Sequence, residues 1–423
     1  MAQREKTSSP GFPLPRHFRY RLDLSRHVTP RLIKGQPVHN WFYFPHSFSP
    51  QLVELLLDEW NILPGSLVLD PFVGAGTTLC VARSKGINSL GLDISPLSVF
   101  ISNTKIQSYD AESVCEALQE VENDLLSEED VDISRVDRLT RAFTDGEFRI
   151  LRRLQLTVLR QPDPIQNLLL LGLLRVQQQF SRAVPDGGWF RWVERSPAKE
   201  DIWPCFQSTI ESMVEDLEHW PDTEASAIAL CHDARRLNEL QQTRPELSDG
   251  CHAIITSPPY PNRHDYSRIF QIELLTLGLD ESDIFSLRYN SLRSHVEARK
   301  PDCPLPSFEM PRPLREALSW FPKDADRRLR PMIEGYFEDM NAVLRSAYDL
   351  LVPGGHIALV VGNVRHAGVL FPVDEILLSL GLALGFEPVT SLVARLRGNS
   401  AQQMGMYGRM PARESIVIMQ KPR

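Results

Sequence analysis

The sequence predicts an α/β fold: a mostly parallel, seven-stranded sheet with a terminal antiparallel hairpin and a helical insertion. Three observations carry this expectation. Short apolar runs, two of them ending at an aspartate, alternate with segments of helical periodicity. A glycine-rich turn stands between the first of these runs and the helix that follows it. The last two apolar runs are joined by a loop, as in a hairpin at a sheet edge.

Taken in order, residues 1–38 hold Pro10, Pro13, Pro15, Pro30 and Pro37 among many basic residues, which predicts an extended basic arm rather than a packed element. Residues 39–109 form the first half of the sheet domain. There Ser49-Pro50 opens a helix and Pro64-Gly65 breaks it, after which Leu67 to Leu69 form a strand ending at Asp70. Thr77 to Lys85 have helical composition, Gly86 closes that helix, and Ser89 to Leu92 form a second strand ending at Asp93. Residues 110–225 interrupt the alternation with helical patterns at Glu112 to Leu126, Phe148 to Leu159, Ile165 to Phe180 and Ile210 to Leu217, and read as an insertion. In residues 226–280 strands resume at Ala227 to Leu230 and Ala253 to Ile255, followed by a helix from Ile269 to Leu277. Residues 281–330 form a basic, loop-rich insert. Residues 331–423 return to the sheet: a long helix from Met332 to Leu351, a turn at Pro353-Gly354-Gly355, a strand from Ile357 to Val361, a helix from Val373 to Leu384, and closing strands Pro388 to Leu396 and Glu414 to Met419.

A length of 423 residues exceeds the usual single domain, so an insertion or a second domain is expected. The net charge of −8 argues against a protein that merely coats nucleic acid, because phosphate affinity comes from Lys and Arg. The acids are concentrated, however: residues 110–225 hold 24 acidic against 12 basic residues, which leaves residues 281–330 as the better candidate for target recognition. The six cysteines lack metal-site spacing and the first residues lack the apolar stretch of a signal peptide, so a cytoplasmic protein without a metal centre is expected. The longest apolar run, Leu168 to Leu174, is far short of the roughly 20 residues that cross a bilayer, so no membrane segment is expected.

In LVLDPFVGAGTT, Gly74 and Gly76 let the backbone turn sharply between strand and helix and approach a ligand closely. Ligands of such sheets sit at the carboxyl ends of the strands. Asp93, ending the next strand, is placed either to accept the ribose hydroxyls of an adenosine-containing ligand or to cap the helix opened by Ser95-Pro96. The turn is not the GxGxxG of a dinucleotide site, and a carboxylate in front of it suits a cationic cofactor better than a pyrophosphate.

These segments, LDPFVGAGTT and GLDISP, together with SPPY further on, resemble the S-adenosylmethionine-dependent amino-methyltransferases of DNA bases. The resemblance implies a Rossmann-like methyltransferase fold with S-adenosyl-L-methionine as cofactor. It places Asp70, Pro71, Phe72, Gly74, Gly76 and Thr77 at the cofactor turn, Asp93 at the ribose and Asp233 of CHDAR beside the adenine. A looser match, in FPHSFSPQLVELLL, places Phe48 and Ser49 near the methionine carboxylate.

The resemblance also makes Ser257, Pro258, Pro259 and Tyr260 the catalytic turn. Two consecutive prolines fix φ and remove two N–H donors, so the carbonyls of the turn are presented rigidly. If the Ser257 side chain and the Pro258 carbonyl accept the two hydrogens of an exocyclic amino group, the nitrogen lone pair is freed and aimed, and positioning supplies most of the catalysis. Tyr260 would stack on a target base turned out of the DNA helix. Beyond this turn, His264 beside Asp265 reads as an acid–base pair or as helix capping, and both stay open. Arg395, Arg397, Arg409 and Arg413, around the final hairpin, are phosphate ligands or solvated.

The expected function is methyl transfer to the N4 amino group of cytosine in a specific DNA sequence, with a cognate restriction or defence component as a partner, since a leading Ser in this family leans toward cytosine and Asp or Asn toward adenine. Adenine-N6 transfer, guanine-N2 transfer in tRNA and an inactive nucleic-acid-binding module are the alternatives. The cofactor motifs precede SPPY, an order shared with the tRNA enzymes, but those carry an RNA-binding domain in front, where about 40 residues stand here. Intact Asp70, Gly74, Gly76, Asp93 and Ser257 to Tyr260 argue against an inactive module.

Overall fold

In the computed structural model, which describes residues 15–125, 137–186, 189–194, 201–397 and 411–423, a short strand β1 (Phe18–Tyr20) comes first. Tight 3-10 turns follow at Leu22–Arg26, Pro30–Leu32 and His39–Trp41. The alternating part begins with α1 (Pro50–Glu59), β2 (Leu67–Asp70), α2 (Thr77–Ser84), β3 (Asn88–Asp93) and α3 (Pro96–Ile106). Four helices then run in series, α4 (Ala111–Leu125), α5 (Asp137–Ala142), α6 (Asp145–Val158) and α7 (Ile165–Phe180). A hairpin of β4 (Ala183–Asp186) and β5 (Trp189–Trp192) leads to α8 (Ile202–Glu218). The sheet resumes with β6 (Ala227–Cys231) and β7 (Cys251–Thr256). Short helices α9 (Tyr266–Ile269), α10 (Gln271–Thr276), α11 (Glu281–Asn290) and α12 (Arg312–Ser319) precede the long α13 (Leu329–Leu350). The chain closes with β8 (Leu351–Gly362), a small hairpin β9 (Val364–His366) and β10 (Val369–Phe371), α14 (Val373–Leu384), β11 (Glu387–Arg397) and β12 (Ala412–Gln420).

The main sheet has the order β1-β11-β12-β8-β7-β2-β3-β6. Strands β2, β3, β6, β7 and β8 run parallel to one another, and β12 is antiparallel to both β8 and β11. Apart from β1 this is the doubly wound, Rossmann-like order of the methyltransferase fold, with the terminal hairpin at one edge. From β2 the chain winds outward to β3 and β6, and then returns to the other side of β2 as β7. The switch point therefore lies between β2 and β7, where such sheets open a crevice beyond their carboxyl ends.

Period-two alternation sends the strand side chains to two cores. Val68, Ala253, Ile255, Ala358 and Val360 pack with Leu52, Leu56 and Val81 of α1 and α2 on one face. Leu69, Ile254, Ile357 and Leu359 pack with α13 and α14 on the other. Each such leucine, isoleucine or valine contributes about 1.5–3 kcal/mol when fully buried. The helices of the insertion share a third core with α3 and with the segment around Trp41, so this part of the chain is fused to the sheet domain through packed side chains.

Several expectations change. Residues 1–14 lie outside the described residues, but the rest of the supposed extended arm is packed. Strand β11 presents an open edge, which β1 covers by parallel pairing of Phe18 with Ser391 and Tyr20 with Val393. Leu24 and Val28, at 3% and 4% exposure, then enter the α1 core, and the sheet has eight strands rather than seven. Pro353-Gly354-Gly355 is part of β8, where Gly354 takes φ +81° and a register shift opposite Cys251 and Ala253 absorbs the irregularity. The expected single helix from Ile269 to Leu277 is broken at Phe270, which has φ −105° and ψ 24° where its ring stacks on Phe44. Helix α8 begins at Ile202, not Ile210, because Pro204 falls in a first turn that needs no intrahelical N–H. Residues 281–330, expected to be loop-rich, contain α11 and α12, and α11 opens with a reciprocal Asp280–Asp283 capping box.

Candidate active site

Strand β2 ends at Asp70, which is buried in the sheet rather than open to the crevice. Its Oδ1 accepts the Thr256 hydroxyl at 2.6 Å and the Phe72 N–H at 3.1 Å, so one carboxylate ties the turn after β2 to the end of β7 across the switch point. Burial pushes this carboxyl up to about 6, against the opposing pull of those hydrogen bonds. Beyond it the chain needs left-handed backbone at Gly74 (φ +49°) and Gly76 (φ +78°). A Cβ at Gly74 would meet nothing closer than Phe44 at 3.6 Å, whereas one at Gly76 would meet Ser102 of α3 at 2.9 Å. Gly74 therefore keeps the crevice open, and Gly76 lets the turn settle on α3.

Asp93 closes β3 on the wall of that crevice. Its Oδ1 accepts the Ser95 N–H at 2.9 Å and its Oδ2 the Gly74 N–H at 3.2 Å. Burial raises its pKa, while the two backbone N–H groups favour the carboxylate. Each oxygen keeps lone-pair capacity for another donor. Asp233, after β6, stands on the same wall, with both oxygens gripped by the Arg235 guanidinium at 2.6–3.0 Å. Arg235 also reaches the fully buried Asp339 of α13 at 3.3 Å, and Arg293 pairs with Asp339 from the other side. Burial opposes the charge on Arg235, but Asp233 and Asp339 outweigh it and raise its pKa.

A strap from Phe44 to Phe48 roofs the crevice. Phe44 stacks on Phe270 at 4.8 Å between ring centroids and on Tyr266 at 6.3 Å, and His46 Nε2 stands 3.1 Å from His264 Nδ1. Lys105 of α3, 1% exposed, donates to the Ala75 carbonyl in the glycine turn and to the His39 carbonyl in the 3-10 turn ahead of the strap, both at 3.1 Å. Burial lowers its pKa to about 8. Counted out through its open mouth, the crevice spans about 1120 Å³, room for a small molecule.

Ser257 follows β7 and lines both this crevice and a second, adjoining cleft that, with its open mouth, spans about 790 Å³ and shares His46, Ser47, Phe48 and Tyr266 with it. Its hydroxyl donates to the Val360 carbonyl of β8 at 3.0 Å. Pro259 faces the first cleft, while Pro258 and Tyr260 face the second. The Tyr260 ring lies against Gly362, where a Cβ would come within 3.0 Å of it, and its hydroxyl donates to Glu414 Oε1 of β12 at 3.4 Å.

The structure thus gathers Phe48, Pro71, Phe72, Gly74, Thr77, Asp93, Asp233, Ser257 and Pro259 around one crevice and sets Pro258 and Tyr260 beside the next. Asp70, Gly76 and Ser49 build its frame without lining it. Ser49 is fully buried at the start of α1, and Ser47 and His46 occupy the roof instead. His264 and Asp265 do not form an acid–base pair: Asp265 binds Arg288 at 2.8 Å and Arg268 at 3.1 Å, while His264 faces His46. Nor does the Asp265 side chain cap α9. Arg413 is committed to Asp374 and Glu375 and unavailable to phosphate, Arg395 pairs with Glu414, and Arg409 lies outside the described residues, as does the side chain of Arg397. Among the described residues no cluster of His, Cys, Asp or Glu suits a metal ion, and no helix is long and apolar enough to cross a membrane.

A family model described as DNA methylase matches residues 22–103, the stretch that supplies the strap, the glycine turn and Asp93. The chain is 29% identical to the Type II methyltransferase M.BsoBI of Geobacillus stearothermophilus, over 92% of this chain and 86% of that protein. It is 26% identical to the Type II methyltransferase M.AvaI of Anabaena variabilis, over 97% and 92%. The chain is thus similar to the S-adenosylmethionine-dependent N4/N6 DNA methyltransferases. Similarity to the solved rRNA methyltransferase aviRa of Streptomyces viridochromogenes is distant, with a TM-score of 0.31 and 11% identity over 89% of this chain and 86% of that one.

The methyl donor of this methyltransferase family is S-adenosylmethionine. The crevice fits such a group: it has room for a small molecule, its wall carries the Asp93 carboxylate at the end of β3, and Gly74 leaves open the space that a side chain would narrow.

Proposed function

We propose that this methyltransferase acts on the N4 amino group of cytosine within a specific sequence of duplex DNA, as the cytoplasmic modification partner of a restriction system. When bound, S-adenosylmethionine supplies an electrophilic methyl group on a sulfonium. In this reading Asp93 accepts the ribose hydroxyls, Asp233 flanks the adenine, and Phe48 with Ser47 closes over the methionine end. Asp70 and Gly76 hold the shape of the turn.

The observation that carries the reading is the Ser257 hydroxyl. Its proton is given to the Val360 carbonyl, so its lone pairs are left to accept from an incoming amino group. The Pro258 carbonyl, fixed by the two prolines, accepts the second N–H. The nitrogen lone pair is then directed from the second cleft toward the first, and its surplus proton leaves to water once the N–C bond has formed. No strong base is required. Tyr260, held between Gly362 and Glu414, stacks on a base turned out of the duplex. A leading Ser supports cytosine over adenine, and the relatives named Type II methyltransferases support a role beside a restriction enzyme.

The test is to incubate the protein with labelled S-adenosylmethionine and mixed-sequence duplex DNA or tRNA, and to identify the labelled nucleoside after digestion. N4-methylcytosine from DNA is expected. N6-methyladenine, or label in tRNA alone, would overturn the assignment.

A further inference from the structure

Within the second cleft, beside Ser257 and Tyr260, two arginines differ in setting. Arg31 is exposed at the rim. Arg395 of β11 is half-buried, and its NH1 lies 3.4 Å from Glu414, whose side chain is 3% exposed. The same Glu414 accepts the Tyr260 hydroxyl. One buried carboxylate on β12 therefore orients both the ring proposed to stack on the base and a planar, five-donor cation next to it. Only part of the guanidinium is taken by Glu414, and the group borders open space in the cleft.

Resting on the cytosine reading above, we infer that Arg395 is the specificity-determining residue that donates to the O2 carbonyl of the flipped cytosine, with Glu414 as its positioning residue. With the exocyclic amino group at Ser257, cytosine presents N3 and then O2 along the same edge, both acceptors. Adenine presents N1 and then a C–H. The guanidinium donors that Glu414 does not take are met by O2 of cytosine and by nothing on adenine, and a site built to hydrogen-bond a substrate group rejects the analogue that lacks it. The negative charge of Glu414 beside two base acceptors would repel them, and the adjacent positive charge of Arg395 offsets it.

The experiment is a coupling cycle between protein and base. Duplexes carrying cytosine or 2-thiocytosine at the target position are methylated by the wild type and by Arg395→Ala, and kcat/KM is compared. Replacing O2 by sulfur weakens the acceptor, so it lowers the wild-type value about 10- to 100-fold, the discrimination expected of one good polar contact to a base. Arg395→Ala lowers it by a similar factor, and the two losses do not multiply in combination. Arg395→Lys keeps the charge but not the fork, so it recovers only a minor part. Losses that multiply, or full rescue by lysine, would show a contact to the backbone phosphate and overturn the inference, as would a wild type indifferent to the sulfur. A product of N6-methyladenine from unmodified DNA would mark instead the failure of the cytosine reading itself. Glu414→Gln, which keeps an acceptor for Tyr260 but loses the charge, reproduces part of the Arg395→Ala loss in kcat/KM on cytosine while unfolding at an unchanged urea midpoint. A drop confined to stability would assign it a purely structural role.

Discussion

Substituting alanine separately for Gly74 and Gly76 of the glycine-rich turn separates framing from lining. Both positions have positive φ, and left-handed backbone costs a residue with a Cβ about 1–2 kcal/mol. At Gly74 that is nearly the whole effect, because the added Cβ meets nothing closer than Phe44 at 3.6 Å, an ordinary contact. At Gly76 the Cβ would stand 2.9–3.1 Å from Oγ, Cα and Cβ of Ser102. Ser102 is fully buried on α3 and its hydroxyl donates to the Gly74 carbonyl, so it has no room to yield. Overpacking of this kind adds about 1–3 kcal/mol. Gly76→Ala should therefore lose about 2–5 kcal/mol and Gly74→Ala about 1–2 kcal/mol, read as urea midpoints at constant slope. Cofactor affinity by calorimetry should reverse the ranking among folded molecules, with Gly74→Ala the weaker binder because only Gly74 lines the crevice. Equal stability losses, or a Gly76→Ala protein as stable as the wild type, would refute the division of roles.

Other expectations follow from the same geometry. In the proposed reading Ser257→Ala removes an acceptor for the target amino group and leaves Asp93, Asp233 and the glycine turn in place, so the single-turnover rate should fall by about 10²-fold while the cofactor Kd stays within about twofold. Asp339→Asn leaves Arg235 and Arg293 buried without their shared counter-charge, and should cost about 3–5 kcal/mol in denaturant unfolding. Glu273, buried on α10 and accepting from Gln178 of α7 at 3.0 Å, has its carboxyl pushed by burial from 4.5 to about 7. Since the folded value is the higher one, its contribution to stability is fully present below pH 4.5 and is lost as the pH rises toward 7. Glu273→Gln should flatten the pH dependence of stability across that window, and an unchanged slope would show that another group sets it.

The parts of this protein legible in the sequence are those whose signal is local. A buried strand ending at Asp70, a turn that only glycines tolerate, Asp93 at the next strand end and two prolines after β7 are each written within a dozen residues, and the fold brings them to one edge because parallel strands share a direction. Phe18–Tyr20 escapes such reading, since three residues without alternation become a strand only because β11 offers an open edge some 370 positions later. The roles of Lys105, Asp339 and Arg413 are hidden for the same reason: a charged residue on a helix or strand reads as solvated until its distant partners are known. Arg413 shows the cost, because four arginines near the final hairpin suggest phosphate contacts, while Asp374 and Glu375 of α14 claim this one. His46 and Ser47 rather than Ser49 roof the crevice because α1 begins at Pro50, and its N-cap residue turns inward.

In the proposed reading the turn from Ser257 to Tyr260 stands between a cofactor crevice and a base cleft. Tyr260→Ala tests this most directly, with methyl transfer to DNA and cofactor Kd measured on the same preparation. Stacking on a base is worth about 1–3 kcal/mol, so transfer should fall about 5- to 150-fold while cofactor affinity remains within about twofold. Loss of cofactor affinity in step with transfer would contradict the division.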